Sequence, residues 1–545
     1  MARSSRWPRC AAVMAAFALL TAIVVAPAGV RAQGAWTLTQ LTPADAGTQG
    51  ARWPSVATGA ATVAFRHDGE LDARAGGPRN AAGRPQVFAW RTGGAILQAT
   101  DTSGQPAGAV EVDRPAVAAS GDRIGFMARG DLAGGNPDHS REVFLWDAGT
   151  VRQLSDGPAG TAAERADLAR GGQAAAFWHA GDLAGANPSR VTQLFLAREG
   201  TSVAQLTAFT APPFAGELAV ASDGPTPTVA FITDADLAGA NPDGSWELFL
   251  WRGPIGQPGD PARFAQLTDW HPPMTGREIY HPSIDASASA VAFAGKGHVD
   301  VGLPAAHVPA EVYLWRPATG IVRLTTGTSP RSSSWLPRVS DDGRHVALVS
   351  VADLAPGAPG NGDGSAEAFV WSKGGGIAQV TASTARPGIL AAEPAVGLGF
   401  APGGQAVAFV SERADDPAPL ALLSRRGILF LAERAGAPSP SPVPVPSPSQ
   451  PPPPTAPAPE PTASPTPDAP PIDPSGVCPQ AVARIPAAVI ADALANPERF
   501  DGWRRPRHPG LPPGPTNPLR TWLSLRDLGK PFGPFNGPVW RAGCP

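Results

Sequence analysis

Only 16% of the 545 residues are charged, and only three are cysteines. A formal charge of −3 excludes a generally basic, nucleic-acid-coating protein. No G-x-S-x-G elbow, H-E-x-x-H pair, P-loop or dinucleotide fingerprint occurs, so no catalytic constellation is legible. No long apolar segment at 3.6-residue period precedes residue 480, which excludes a helical-repeat solenoid. What is present is a 43% hydrophobic fraction, ample for a buried core, with 65 Pro and 62 Gly. That composition favours short elements joined by many turns.

The N-terminus sets the compartment. Arg3, Arg6 and Arg9 precede an apolar run from Ala11 to Ala26, broken only by Thr21, and small residues follow. This pattern is a secretory signal peptide over 1–32, with cleavage after Ala32 in Val30-Arg31-Ala32. An uncleaved anchor is the rival, but the run is short for the ~20 residues that span a bilayer. No later stretch is long and apolar enough to cross. The mature protein is expected to be secreted or to sit in the cell envelope, outside the cytoplasmic membrane. Cys478 and Cys544 then remain, and in an exported chain they imply one disulfide. A metal pair is the alternative, though only His508 lies nearby.

A tail recurs seven times: Gln40-Leu41-Thr42, Gln98-Ala99-Thr100, Gln153-Leu154-Ser155, Gln205-Leu206-Thr207, Gln266-Leu267-Thr268, Arg323-Leu324-Thr325 and Gln379-Val380-Thr381. Between tails come a head, a Gly-containing turn, a short apolar strand such as Ile124-Gly125-Phe126, a loop, and a third strand such as Val143-Phe144-Leu145-Trp146. Each unit is four short strands, the composition of a propeller blade. Heads fall near Pro54, Pro115, Asp167, Leu218, Pro282, Pro337 and Pro394. The first tail has no head before it, so Thr37 to Thr42 is expected to complete the last blade and remove an open sheet edge. The expected fold is all-β: a seven-bladed propeller over 33–436, closed by the N-terminal strand.

These heads and tails resemble the TolB-type, WD40-like propeller repeats of exported bacterial proteins, over roughly residues 35 to 434. The TolB family proper carries an N-terminal α/β domain that this chain lacks, so its periplasmic partner is not carried over. Residues 437–476 hold 18 prolines and are expected to form an extended linker, its Ser and Thr open to glycosylation. Residues 477–545 form a small aromatic-rich unit with nine basic and four acidic residues.

Asp131-Leu132-Ala133 with Asn136-Pro137-Asp138 recurs at Asp182, Asp236 and Asp353. Calcium ligation and a type I turn compete for this motif. Asn-Pro-x-Gly at the favoured turn corners supports the turn, and the calcium-loop spacing is not met. The loops entering strand one and joining strands two and three share one face, and they are the long ones. On that face Trp270, His271, Tyr280, His281, His298, Arg331 and Trp335, with Lys296 and His307 near, suit a carbohydrate or peptide patch. The competing reading, which the residues favour, is that Trp270 and Trp335 fill gaps between blades. Zinc on His271, His281, His298 and His307 is not demanded by their spacing, and no cofactor or metal is implied. The expectation is a non-enzymatic, monomeric propeller binding an envelope protein or glycan, with the basic tail as anchor. It has no nucleic-acid partner and no membrane span after signal cleavage. The alternative is a propeller polysaccharide lyase or glycoside hydrolase using the long-loop face.

Overall fold

The computed structural model describes residues 30–32, 36–43 and 50–435, apart from 73–79, 107–110, 201, 222–225, 238, 271–278, 297–308, 328–331, 356–359, 363, 384–397 and 413–426. Most of the expected signal peptide (residues 1–29), the expected proline-rich linker 437–476 and residues 477–545, with the expected Cys478–Cys544 disulfide, lie outside the described residues.

Seven four-stranded antiparallel sheets follow one another along the chain. Blades 1 to 6 begin with strands Arg52–Val56, Glu111–Val117, Ala163–Leu168, Leu218–Val220, Ile279–Ile284 and Ser334–Val339, and each continues through three further strands in order. Blade 7 takes Leu398–Phe400, Ala406–Glu412 and Gly427–Arg434 from the C-terminal side. Its outermost strand is Trp36–Gln40, paired antiparallel from Trp36 with Arg434 to Gln40 with Phe430. The expected closure is therefore observed, and the ring carries no open junction. The first strand of blade 7 starts four residues beyond Pro394: Leu398 takes the place that Pro54 has in blade 1, by the pairing of Phe400 with Val407 and of Val56 with Val63. Val30–Ala32, at the expected cleavage site, pairs with Thr381–Ser383.

The core is seven hydrophobic clusters, one in each junction between neighbouring blades. Strands two and three are sandwiched on both faces, so they are apolar nearly throughout. Thr62–His67 and Thr228–Thr233 are buried at every position. In five blades a Phe of strand two lies opposite a Phe of strand three and stacks on it at 5.6–6.0 Å: Phe65 on Phe88, Phe126 on Phe144, Phe177 on Phe195, Phe231 on Phe249, and Phe409 on Phe430. Burying each such ring stabilises by about 1.5–3 kcal/mol.

The tail motif is a latch onto strand three. The hydroxyl of its Thr or Ser accepts the strand-three amide of Val87, Val143, Leu194, Leu248, Val312, Ala368 or Leu429, at 2.8–3.0 Å in all seven blades. In blades 2 to 6 it also donates to the residue just before that amide: to the buried carboxylates of Glu142, Glu247, Glu311 and Glu367, and to Gln193 at 2.8 Å. The tail Gln turns back on its own Thr or Ser and donates its side-chain amide to that residue's carbonyl, as Gln98 does to Thr100 at 2.7 Å. These contacts satisfy polar groups within each blade that would otherwise be costly to bury.

The recurring Asp-Asn motif is a turn at each of its four sites. The Asp131, Asp182, Asp236 and Asp353 side chains each accept the backbone N–H of the Asn five to eight residues on. The Asn carbonyls accept from His139, Arg190, Gly244 and Gly364 across the turn. The Asn side chains donate to loop carbonyls, as Asn136 does to Ser140 at 2.8 Å.

Candidate functional site: a charged channel mouth

The innermost strands surround a central cavity of about 160 Å³, lined from all seven blades. Their heads share one irregularity. Pairing skips between Arg52 and Ser55, Asp113 and Ala116, Glu164 and Asp167, Tyr280 and Ser283, and Trp335 and Arg338. Each skip is a β-bulge, and within it Trp53, Arg114, Arg165, His281 or Leu336 adopts φ of +48° to +56°. Proline follows in four of the five, at a position where the bulge demands no ladder donor. Left-handed non-glycine residues are uncommon, and five at one repeat position form a built feature.

These bulge residues, with Glu217 at the equivalent place in blade 4, make a ring around the channel. It is polar through four successive blades: Arg114, Arg165, Glu217, His281. The Glu217 carboxylate accepts the backbone N–H of His281 at 2.6 Å and lies 2.8 Å from His281 Nδ1. It also lies 3.6 Å from Arg114 and 3.9 Å from Arg165. Burial alone would raise its pKa. The His281 hydrogen bonds and the neighbouring cations prevail and hold it well below the usual carboxylate range. Arg114 and Arg165 keep about a third of their side chains exposed, 33% and 39%. Burial pushes the Arg165 guanidinium down, as does Arg114 beside it. Nearby, Glu111 bridges Arg129 at 3.0 Å and Arg141 at 2.6 Å, and Arg66 lies 5.7 Å over the Trp53 ring.

Two residues further along, a second ring reads Ser55, Ala116, Asp167, Ala219, Ser283, Arg338, Gly399. Ser55, Asp167 and Ser283 each accept the backbone N–H of the next blade's strand, from Val117, Val220 and Val339 at 2.9–3.0 Å. Small residues elsewhere leave the cavity. Asp167 and Arg338 are the charged members, three blades apart. Burial raises the Asp167 carboxyl and lowers the Arg338 guanidinium. Towards the far end of the strands, Arg170 pairs with Asp341 at 3.0 Å.

The residues expected from sequence divide. His281 is at the mouth, and the Tyr280 ring lies 5.5 Å from its imidazole. Trp270 packs on Phe293 and Tyr313 at 5.6 and 5.2 Å, in the junction of blades 4 and 5. Trp335 packs against the junction of blades 6 and 7. His271, His298, His307 and Arg331 lie outside the described residues. Arg114, Arg165, Glu217 and Arg338 are not among the residues expected from sequence, because they lie on or beside the innermost strands and not in the long loops. Their signal is in the heads: one repeat position that reads Trp, Arg, Arg, Glu, His, Leu is varying where the strand itself is not.

No protein-family model matches the sequence, and no curated protein matches it. Among solved structures, the chain is similar to the β-propeller domain of the Trilobed protease from Pyrococcus furiosus, at 10% identity over 71% of this chain and 97% of that one, with a TM-score of 0.41. It is similar to an oligogalacturonate lyase from Vibrio parahaemolyticus at 12% identity, over 74% and 98% of the chains, TM-score 0.42. It is similar to TolB from Acinetobacter baumannii at 11% identity, over 74% and 80%, TM-score 0.34. The likeness is one of fold, the β-propeller.

Proposed function

We propose that this is an exported, non-enzymatic propeller that binds an envelope protein or glycan at the channel mouth, on the long-loop face. The observation that carries this reading is Glu217. A carboxylate that accepts two hydrogen bonds from His281 and faces two arginines is fixed in its ionised form and is unsuited to donating a proton at neutral pH. Around it stand partly exposed cations on left-handed bulge positions, the arrangement of a docking surface. The leader supports export, and the basic unit after the linker suits an anionic envelope polymer.

A second reading rests on His281. A carboxylate that orients an imidazole at a channel mouth is also half of a general-base pair, which suits a polysaccharide lyase or glycoside hydrolase. The deciding experiment incubates the full exported chain with envelope extracts and a glycan panel. Saturable retention, weakened by Arg114→Ala with Arg165→Ala and without product, is expected. Ligand cleavage that disappears in His281→Ala defeats the binding reading.

A further inference from the structure

We infer that the central channel holds an oxyanion, a carboxylate or phosphate group, between the Arg114 side of the mouth and Arg338 deeper in the second ring. The inference deepens the binding reading by naming the chemistry of the ligand, and it rests on that reading.

Three observations carry it. The cavity of about 160 Å³ far exceeds the roughly 10–15 Å³ that one water needs. Among the described residues its lining takes guanidinium groups from three blades, Arg114, Arg170 and Arg338, against one carboxyl, that of Asp167. The charge balance is then uneven. Arg170 is neutralised by Asp341, and Asp167 is turned to the Val220 amide. Arg338 donates only to the carbonyl of its own neighbour Pro337, at 3.2 Å, and among the described residues no carboxylate reaches ion-pair distance from it.

Arg114 and Arg165 share one carboxylate at 3.6 and 3.9 Å, beyond hydrogen-bond length, so the donors of both forks remain available. A guanidinium has five fixed donors and does not lose its proton. Asp167 and Glu217 act on Arg338 only from beyond ion-pair distance, so its remaining donors, in the lining of the cavity, are open to an anion. Planar forks from opposite sides of a narrow channel match the oxygens of a carboxylate or phosphate.

The test titrates the full chain calorimetrically with inorganic phosphate and, separately, acetate at low ionic strength. Saturable one-to-one binding of at least one is expected. Affinity should fall roughly tenfold or more in Arg338→Gln and in Arg114→Gln. It should be unchanged in Arg152→Gln, whose arginine lies on the outer strand of blade 2 and pairs with Glu199. Arg114→Gln alters a partly exposed side chain and keeps the test valid should Arg338→Gln fold poorly. Displacement of a retained envelope polymer by the small anion assigns the oxyanion to that polymer. Anion binding without displacement assigns it to a free solute. No saturation with either anion up to about 10 mM overturns the inference. So does equal weakening by Arg152→Gln. Envelope retention that survives either result leaves the binding reading standing while the oxyanion subsite falls.

Discussion

Glu217 of blade 4 is held by a single residue of blade 5: the backbone N–H of His281 donates to its Oε2 at 2.6 Å, and the imidazole Nδ1 lies 2.8 Å from the same oxygen. Through Arg114 and Arg165 the same carboxylate reaches blades 2 and 3. Four inner strands thus meet at one charge.

Acid stability should depend on this contact. Because the folded-state pKa of Glu217 is depressed below 4.5, its contribution is complete above that value and is lost as pH falls below it. The buried His67 acts in the same direction. Burial lowers its pKa from 6.5 to about 4, so stability is lost as pH falls across that interval. The melting temperature of Glu217→Gln is expected to be lower than wild type at pH 7 and to converge on it towards pH 3. Parallel melting curves across that range would show that Glu217 is not differentially ionised.

Closure predicts a large effect from a small deletion. Removing residues 33–43 takes away Trp36–Gln40 and the Thr42 hydroxyl, which accepts the Leu429 amide at 2.9 Å. The exposed edge of Gly427–Arg434 should then aggregate or melt far below the intact chain. A truncated protein that is monomeric by light scattering, with an unchanged melt, defeats this account.

The blade 7 to blade 1 junction is tight at Gly399. A Cβ there would stand 2.8 Å from the Pro54 carbonyl oxygen and 2.9 Å from Val56 Cγ2. Gly399→Ala should cost about 1–3 kcal/mol by overpacking. Chemical denaturation measures it, and a neutral result means that the two inner strands can part.

For the latch, natural variation supplies the control. Gln193 performs in blade 3 what glutamate does in blades 2, 4, 5 and 6: it accepts from the Thr207 hydroxyl and the Phe209 amide, and donates to the Phe209 carbonyl. Glu311→Gln is therefore expected to fold with little loss. Glu311→Ala leaves the Thr325 hydroxyl and the Gly327 amide without their acceptor, at about 1–3 kcal/mol. Equal costs for the two variants would contradict the hydrogen-bond account.

The order of the parts was legible because each is enforced locally. Gln-x-Thr marks strand four by a side chain reaching its own backbone and the adjacent strand. Paired Phe residues mark strands two and three, and Asn-Pro-x-Gly fixes a turn within a few residues. Seven tails against offset heads sufficed to place Trp36–Gln40 in the last blade. In blade 7 Leu398 holds the place that proline has in four other heads, so that strand carries no proline marker of its own. The site was decided elsewhere. Arg114, Arg165, Glu217 and His281 are about fifty to sixty residues apart, and no local rule couples them. They converge because each occupies the same bulge in a different blade, and the closed ring turns equal positions in the repeat into neighbours around one channel. The sequence by itself determined how each blade is built. Only ring closure decided which side chains share a cavity, because that depends on the packing of seven junctions at once.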